Sequence, residues 1–226
     1  MRFAVLGTGI VGQTLASRLA ELGHDVTIGT RDVAATMARA EPDGMGNPPF
    51  SAWAASHPQV KVAQFVKAAA SAEVVVNATN GAASMAVLQM AGSDNLSGKV
   101  LLDVSNPLDF SQGFPPTLLV KDTDSLAEQI QREFPEAKVV KSLNTLTATL
   151  MANPRQLADG EHTIFVSGND VAAKETVVAL LKSFGHTDVI DLGDITTARG
   201  AEMVLPIWVR LMGSLNTPIF NFKIVR

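Results

Sequence analysis

A chain of 226 residues with 46% hydrophobic and 18% charged side chains is long enough to bury a sizeable core. It is too apolar for a disordered protein and too interrupted by charge for a membrane one. The net charge of −4, with no run of Lys or Arg, excludes a track for nucleic acid, and the lack of cysteine excludes disulfides, thiolate metal sites and cysteine nucleophiles.

Arg2-Phe3-Ala4-Val5-Leu6 predicts a short buried strand; it opens the sequence with no charged leader and apolar h-region, so a cytoplasmic location is expected. A glycine-rich turn follows, then Leu15, Leu19 and Leu22 recur at helical spacing until Gly23. Residues 25–29 predict a second strand, parallel to the first, which completes a βαβ unit. Asp32 is placed to cap a helix over 33–40. Residues 41–58, with four prolines, two glycines and Trp53, read as a long loop or broken excursion. Further strands are expected at 60–63, 73–78, 99–104, 138–142, 163–167 and 187–191, with helices between most of them. Val204, Ile207, Trp208, Leu211 and Leu215 form an apolar stripe on a helix that Pro206 should kink, followed by a last strand over 220–225. The stretch from Val204 to Phe220 contains Pro206, Arg210, Asn216 and Pro218, so it falls short of a membrane span and reads as a protein interface. The alternation predicts an α/β fold: a Rossmann-type, doubly wound, mostly parallel sheet with additional C-terminal strands and a C-terminal helix. A single domain over 1–226 is expected, with an extension from about 187 to 226 at the interface of a homodimer.

Gly7-Thr8-Gly9-Ile10-Val11-Gly12 fits G-x-G-x-x-G between a strand and a helix, the context in which the pattern signals a dinucleotide site. Gly7 permits the tight turn, Gly9 removes a side chain that would block a pyrophosphate, and Gly12 lets helix approach strand. At the end of the second strand, where an NAD site carries Asp or Glu for the ribose hydroxyl, this chain has Thr30 and then Arg31. A hydroxyl and a guanidinium suit a 2′-phosphate, so NADP(H) is the expected cofactor. Asp32 is the competing candidate for the ribose. After later strands come Ala78-Thr79-Asn80 and Ser105-Asn106-Pro107, expected to rim the crevice. Ala78 and Thr79 are small enough for a nicotinamide ribose to approach; Asn80, Asn106 and Asn144 are either hydrogen-bonding groups of an acceptor pocket or simply turn-forming asparagines. His24, His57, His162 and His186 are scattered without metal-ligand spacing, so no metal is expected, and Ser105 and Ser142 lack a nucleophile elbow.

With these residues in view, the chain resembles the NADP oxidoreductase family named for the deazaflavin coenzyme F420. The likeness runs through GTGIVG (Gly7 to Gly12), TIGTRD (Thr27 to Asp32), VVNATNG (Val75 to Gly81), DVSNPLDF (Asp103 to Phe110), VVKSLNT (Val139 to Thr145) and DLGDITTARGAEM (Asp191 to Met203). A more distant likeness is to the NADPH-binding domain of membrane metalloreductases, which hands hydride to a flavin. The resemblance implies that Thr8, Ile10, Val11, Thr30 and Arg31 contact phosphates and adenosine, and that Ala78, Thr79, Asn80, Asn106, Pro107 and Asn144 surround the nicotinamide and its acceptor. In deazaflavin-reducing members a histidine stands where this chain has Asn144, so the cofactor carries over more safely than the acceptor. No Lys, Tyr or His dyad stands out as a proton donor, which favours a ring-type acceptor, a flavin or deazaflavin, over a carbonyl. The rival readings are a non-enzymatic NADP(H) sensor and a reductase domain that passes electrons to a flavin or ferric acceptor on a docked protein.

Overall fold

The computed structural model describes residues 1–42 and 46–226. The chain forms β1 (Arg2–Leu6), α1 (Ile10–Glu21), β2 (Asp25–Thr30), α2 (Val33–Met37), α3 (Phe50–Ser56), β3 (Lys61–Gln64), α4 (Phe65–Ser71), β4 (Val74–Asn77), α5 (Gly81–Ala91), α6 (Ser93–Leu96) and β5 (Val100–Asp103). A two-residue-per-strand ribbon, β6 (Leu108–Asp109) and β7 (Thr117–Leu118), comes next. It leads to α7 (Leu126–Glu133), β8 (Lys138–Ser142), α8 (Ala148–Ala152), β9 (Thr163–Gly168), α9 (Val171–Phe184), β10 (Asp188–Gly193), α10 (Ala198–Met203) and α11 (Leu205–Leu215).

Eight strands make one sheet in the order β10-β9-β8-β5-β4-β1-β2-β3. All neighbouring pairs are parallel except β8 and β9, where Ser142 faces Val166 in antiparallel register. The run β3-β2-β1-β4-β5-β8 is the doubly wound order, and the chain reverses its direction of winding between β1 and β4. Strands buried on both faces need apolar residues at every position, which is why β4 reads Val-Val-Val. Alternate residues then serve two layers. Phe3, Val5, Val76 and Leu102 pack with Leu15 and Leu19 of α1 and Leu181 of α9, while Ala4, Leu6, Val75 and Leu101 pack with Phe65, Leu88 and Ile130 of α4, α5 and α7. Ser125 caps α7, its Oγ accepting from Glu128 N at 3.2 Å and donating to Glu128 Oε2 at 2.8 Å.

Three expectations need correction. The stretch 41–58 contains α3, started after Pro49 and held to the core by Trp53, whose Nε1 donates to Ser17 Oγ at 3.3 Å; residues 43–45 of that stretch lie outside the described residues. The expected strand over 220–225 is an irregular strap, because Asn216 turns left-handed (φ +51°) at the end of α11 and, among the described residues, a single backbone-to-backbone bond, Thr163 N to Phe222 O at 2.9 Å, joins it to β9. The break near Pro206 falls at Val204, between α10 and α11, since the proline lacks the N–H that would continue the ladder. As β9 runs against β8, its first residue sits at the carboxyl ends of the parallel strands, and the strap lies on that same edge.

Candidate functional site

Gly7 has φ +124°, and a Cβ there would stand 2.5 Å from the carbonyl oxygen of Ala78. A Cβ on Gly12 would collide with the carbonyl oxygen of Gly7. Both positions therefore need glycine for the fold itself. Gly9 differs: its φ is −75° and an added Cβ meets nothing within 4 Å. The empty space lies over the start of α1, whose N-cap is Gly9 and whose first turn receives no side-chain cap. N–H groups without a partner among the described residues, at the positive end of a 12-residue helix, face that space, an arrangement fitted to an anion. Gln13 holds the turn in place, its Nε2 donating to Thr8 O at 2.8 Å.

Beside the turn, a cleft of about 370 Å³ is lined by Thr8, Thr30, Arg31, Thr36 and Arg39. Thr30 is buried, and its Oγ1 lies 2.7 Å from Thr36 Oγ1, so the pair shares one proton and keeps another for a ligand. Asp32 is occupied as the cap of α2, accepting from Ala35 N at 3.0 Å. Arg31 is exposed, and neither it nor Arg39 has an ion-pair partner among the described residues. A neighbouring cleft of about 400 Å³, lined by Thr8, Gly9, Gln13 and Phe50, shares Arg39 with the first.

The ends of β4, β5 and β8 are bound together below the crevice. Asn77 Nδ2 donates to Asp103 Oδ1 at 2.8 Å, and Thr79 Oγ1 donates to Asn77 Oδ1 at 2.7 Å. Lys141 Nζ reaches Asp103 Oδ2 at 2.8 Å, Glu202 Oε1 at 2.9 Å and Ser105 O at 2.5 Å, with all three charged side chains at most 1% exposed. Burial pushes the Lys141 pKa down, but the two carboxylates more than offset it, and the ammonium titrates above its ordinary range. Leu143, left-handed at φ +63°, turns the chain sharply after β8. Asn144 then pairs with Asn106: Asn106 Nδ2 donates to Asn144 O at 2.8 Å, while Asn144 Nδ2 donates to Asn106 Oδ1 at 3.0 Å and to Ala201 O at 2.9 Å. Asn80 is exposed and caps α5, its Oδ1 accepting from Ala82 N at 3.0 Å. A Cβ on Gly81 would collide with Asn106 O, which brings the loops after β4 and β5 into backbone contact and sets Pro107 beside them.

Residues 2–107 match the family described as NADP oxidoreductase, coenzyme F420-dependent. A crystal structure from Arthrobacter sp. FB24, provisionally named an F420-dependent NADP-reductase, is 65% identical over 99% of both chains and superposes with a TM-score of 0.96. The chain belongs to this family. It is an NADP-dependent oxidoreductase with a Rossmann-type fold. The F420-dependent NADP reductase of Methanothermobacter marburgensis is 28% identical over 93% of this oxidoreductase and 92% of the relative. The metalloreductase STEAP3 of Rattus norvegicus is 29% identical over 92% of it; there the oxidoreductase spans only 38% of the relative's length.

In this oxidoreductase the residues expected to hold the cofactor and its acceptor lie just past the carboxyl ends of the parallel strands, with Ile10, Val11 and Gly12 in the first turn of α1. Asn106 and Asn144 are brought together but engage each other. Arg39, just past α2, is an addition: no spacing rule points from Arg31 to it, because the expected helix ran to residue 40. The Lys141 cluster is a second addition, whose signal is a lysine inside an otherwise apolar strand. His162 and His186 are buried 6.1 Å apart, on the carbonyls of Pro154 and Met151. Among the described residues no group of metal-ligating side chains forms a metal site, and no helix is long and apolar enough to cross a membrane.

Proposed function

We propose that this oxidoreductase passes hydride between NADP(H) and a planar ring acceptor, a deazaflavin of the coenzyme F420 type or a flavin. Gly7, Thr8, Gly9, Ile10, Val11 and Gly12 would hold the pyrophosphate. Thr30, Arg31 and the added Arg39 would hold the 2′-phosphate, and Ala78, Thr79, Asn80, Asn106 and Pro107 the nicotinamide side, with Asn144 bracing Asn106. When bound, NADP(H) supplies the hydride; the chain's task is alignment and exclusion of water.

One observation carries the choice of acceptor. The residues ending β4, β5 and β8 present amides, a hydroxyl and small apolar groups, and their two charged side chains, Asp103 and Lys141, are fully buried and paired. Carbonyl reduction calls for a proton donor beside the substrate oxygen, whereas a flavin or deazaflavin exchanges its proton with solvent. A panel of acceptors with NADPH tests this. F420, FMN or FAD should be turned over and a simple ketone should not; ketone reduction without ring reduction would overturn the reading.

The metalloreductase match favours a second reading, a reductase domain that delivers electrons to a flavin or ferric acceptor on a docked redox protein. Recovery of no redox partner in a pull-down would count against it. We also place the protein in the cytoplasm as a single domain, and as a homodimer through the extension from about 187 to 226, where Met203, Ile207 and Leu215 are exposed.

A further inference from the structure

We propose that Lys141 is a positioning residue: its buried ammonium sets the spacing of the three loops that flank the nicotinamide. The inference rests on the reading of this crevice as the nicotinamide site. Lys141 Nζ has three donors and three acceptors, Asp103 Oδ2, Glu202 Oε1 and Ser105 O, so no direction is left free.

Each acceptor leads to the crevice by a different route. Asp103 Oδ1 takes Asn77 Nδ2 at 2.8 Å and Ser105 Oγ at 2.6 Å, and Asn77 in turn takes the Thr79 hydroxyl. Ser105 is followed directly by Asn106. Glu202 adjoins Ala201, whose carbonyl receives Asn144 Nδ2. A closed circuit results, Lys141 to Glu202 and Ala201, to Asn144, to Asn106, to Ser105 and back to Lys141. The second negative charge is held by the start of α7, where Leu126 N and Ala127 N donate to Glu202 at 2.8 and 3.1 Å.

Stability alone is a poor reason for such a cluster, because desolvating three charges consumes most of what their attraction supplies and apolar side chains would fill the space as well. What an apolar core would not do is fix the carbonyl of Ser105 and the carboxylates at hydrogen-bond length, and hence Thr79, Asn106 and Asn144 relative to one another. Hydride transfer falls steeply with small errors in alignment, so rigidity at these three residues acts on the rate.

The test compares wild type with Lys141→Met/Asp103→Asn, which removes one charge of each sign and leaves Glu202 held by the N–H groups of Leu126 and Ala127 that start α7. Three quantities are read: thermal midpoint, affinity for 2′,5′-ADP, which carries only the adenosine end, and affinity and turnover with NADPH. The midpoint and the 2′,5′-ADP affinity should stay near wild type. The advantage of NADPH over 2′,5′-ADP and kcat should each fall about ten-fold or more. Glu202→Gln alone, a milder cut at Lys141 itself that keeps the Lys141–Asp103 pair, should move kcat in the same direction with no loss of 2′,5′-ADP binding, and it decides the matter if the double variant does not fold. The inference is overturned if folded variants keep NADPH affinity and kcat within about two-fold of wild type, or if 2′,5′-ADP affinity and kcat decline together. If wild type itself shows no preference for NADPH over 2′,5′-ADP and no turnover, it is the reading of the crevice that fails.

Discussion

Gly9 and Gly12 stand three residues apart in one motif, and the structure gives them opposite reasons for being glycine. Gly9→Ala places a methyl group in open space at a backbone conformation that alanine adopts readily. It should leave stability within about 0.5 kcal/mol of wild type, the gain through the unfolded chain being offset by alanine's poorer fit at an N-cap, while weakening NADPH binding about ten-fold or more. Gly12→Ala drives a Cβ into the Gly7 carbonyl and should lower stability by about 3 kcal/mol, with binding lost as a consequence. Thermal melts with and without NADPH separate the two. Arg31→Ala and Arg39→Ala should each weaken NADPH by about ten-fold and leave NADH nearly unchanged, since each removes a charge-assisted bond to a phosphate that NADH lacks; equal losses for both cofactors would contradict the assignment. The glycines and Arg31 were legible in the sequence because their meaning lies in spacing along one βαβ unit. Arg39 was not, as its place depends on where a five-residue helix ends. Lys141 was not, because its partners are 38 and 61 residues away and only the sheet order brings them together.

Among the elements, strands were the most readable, since each parallel strand is an apolar run bounded by turns, and all eight in the main sheet fall within a residue or two of their expected places. Helix α3 was hidden by the prolines around it: Pro49 looks like a breaker but serves as the N-cap of the helix. The strap failed as a strand because its polar groups bond to side chains, Asn221 Nδ2 to His162 Nδ1 at 2.8 Å and Ile224 N to Thr163 Oγ1 at 2.9 Å. At this packing of α8, β9 and the strap, burial lowers the His186 pKa to about 4, with the nearby His162 adding to the shift. The folded state thus refuses a proton that the unfolded chain accepts below about pH 6.5. Stability should be unaffected by this group above that pH and should fall as pH drops toward 4, by up to about 3 kcal/mol. Urea midpoints at neutral pH and near pH 5 measure the slope. His186→Gln, which can still donate to the Met151 carbonyl, should flatten it; an unchanged slope would assign the acid sensitivity elsewhere.

On the scale of the whole molecule, one edge of the sheet carries the glycine turn, the two arginines, the three wired loops and the strap, while the opposite edge carries mainly the starts of strands. This concentration follows from doubly wound topology, which opens a crevice where the winding reverses. Exposed Met203, Ile207 and Leu215 beside that edge predict a dimer in light scattering, and a monomer at all concentrations would remove the proposed interface. The most direct test of the central claim is stopped-flow oxidation of NADPH by F420 and by FMN in turn, with protium or deuterium at the transferable nicotinamide position. The account predicts that at least one ring oxidises the bound cofactor and that deuterium slows the step. Tight NADPH binding with no oxidation by either ring would contradict it.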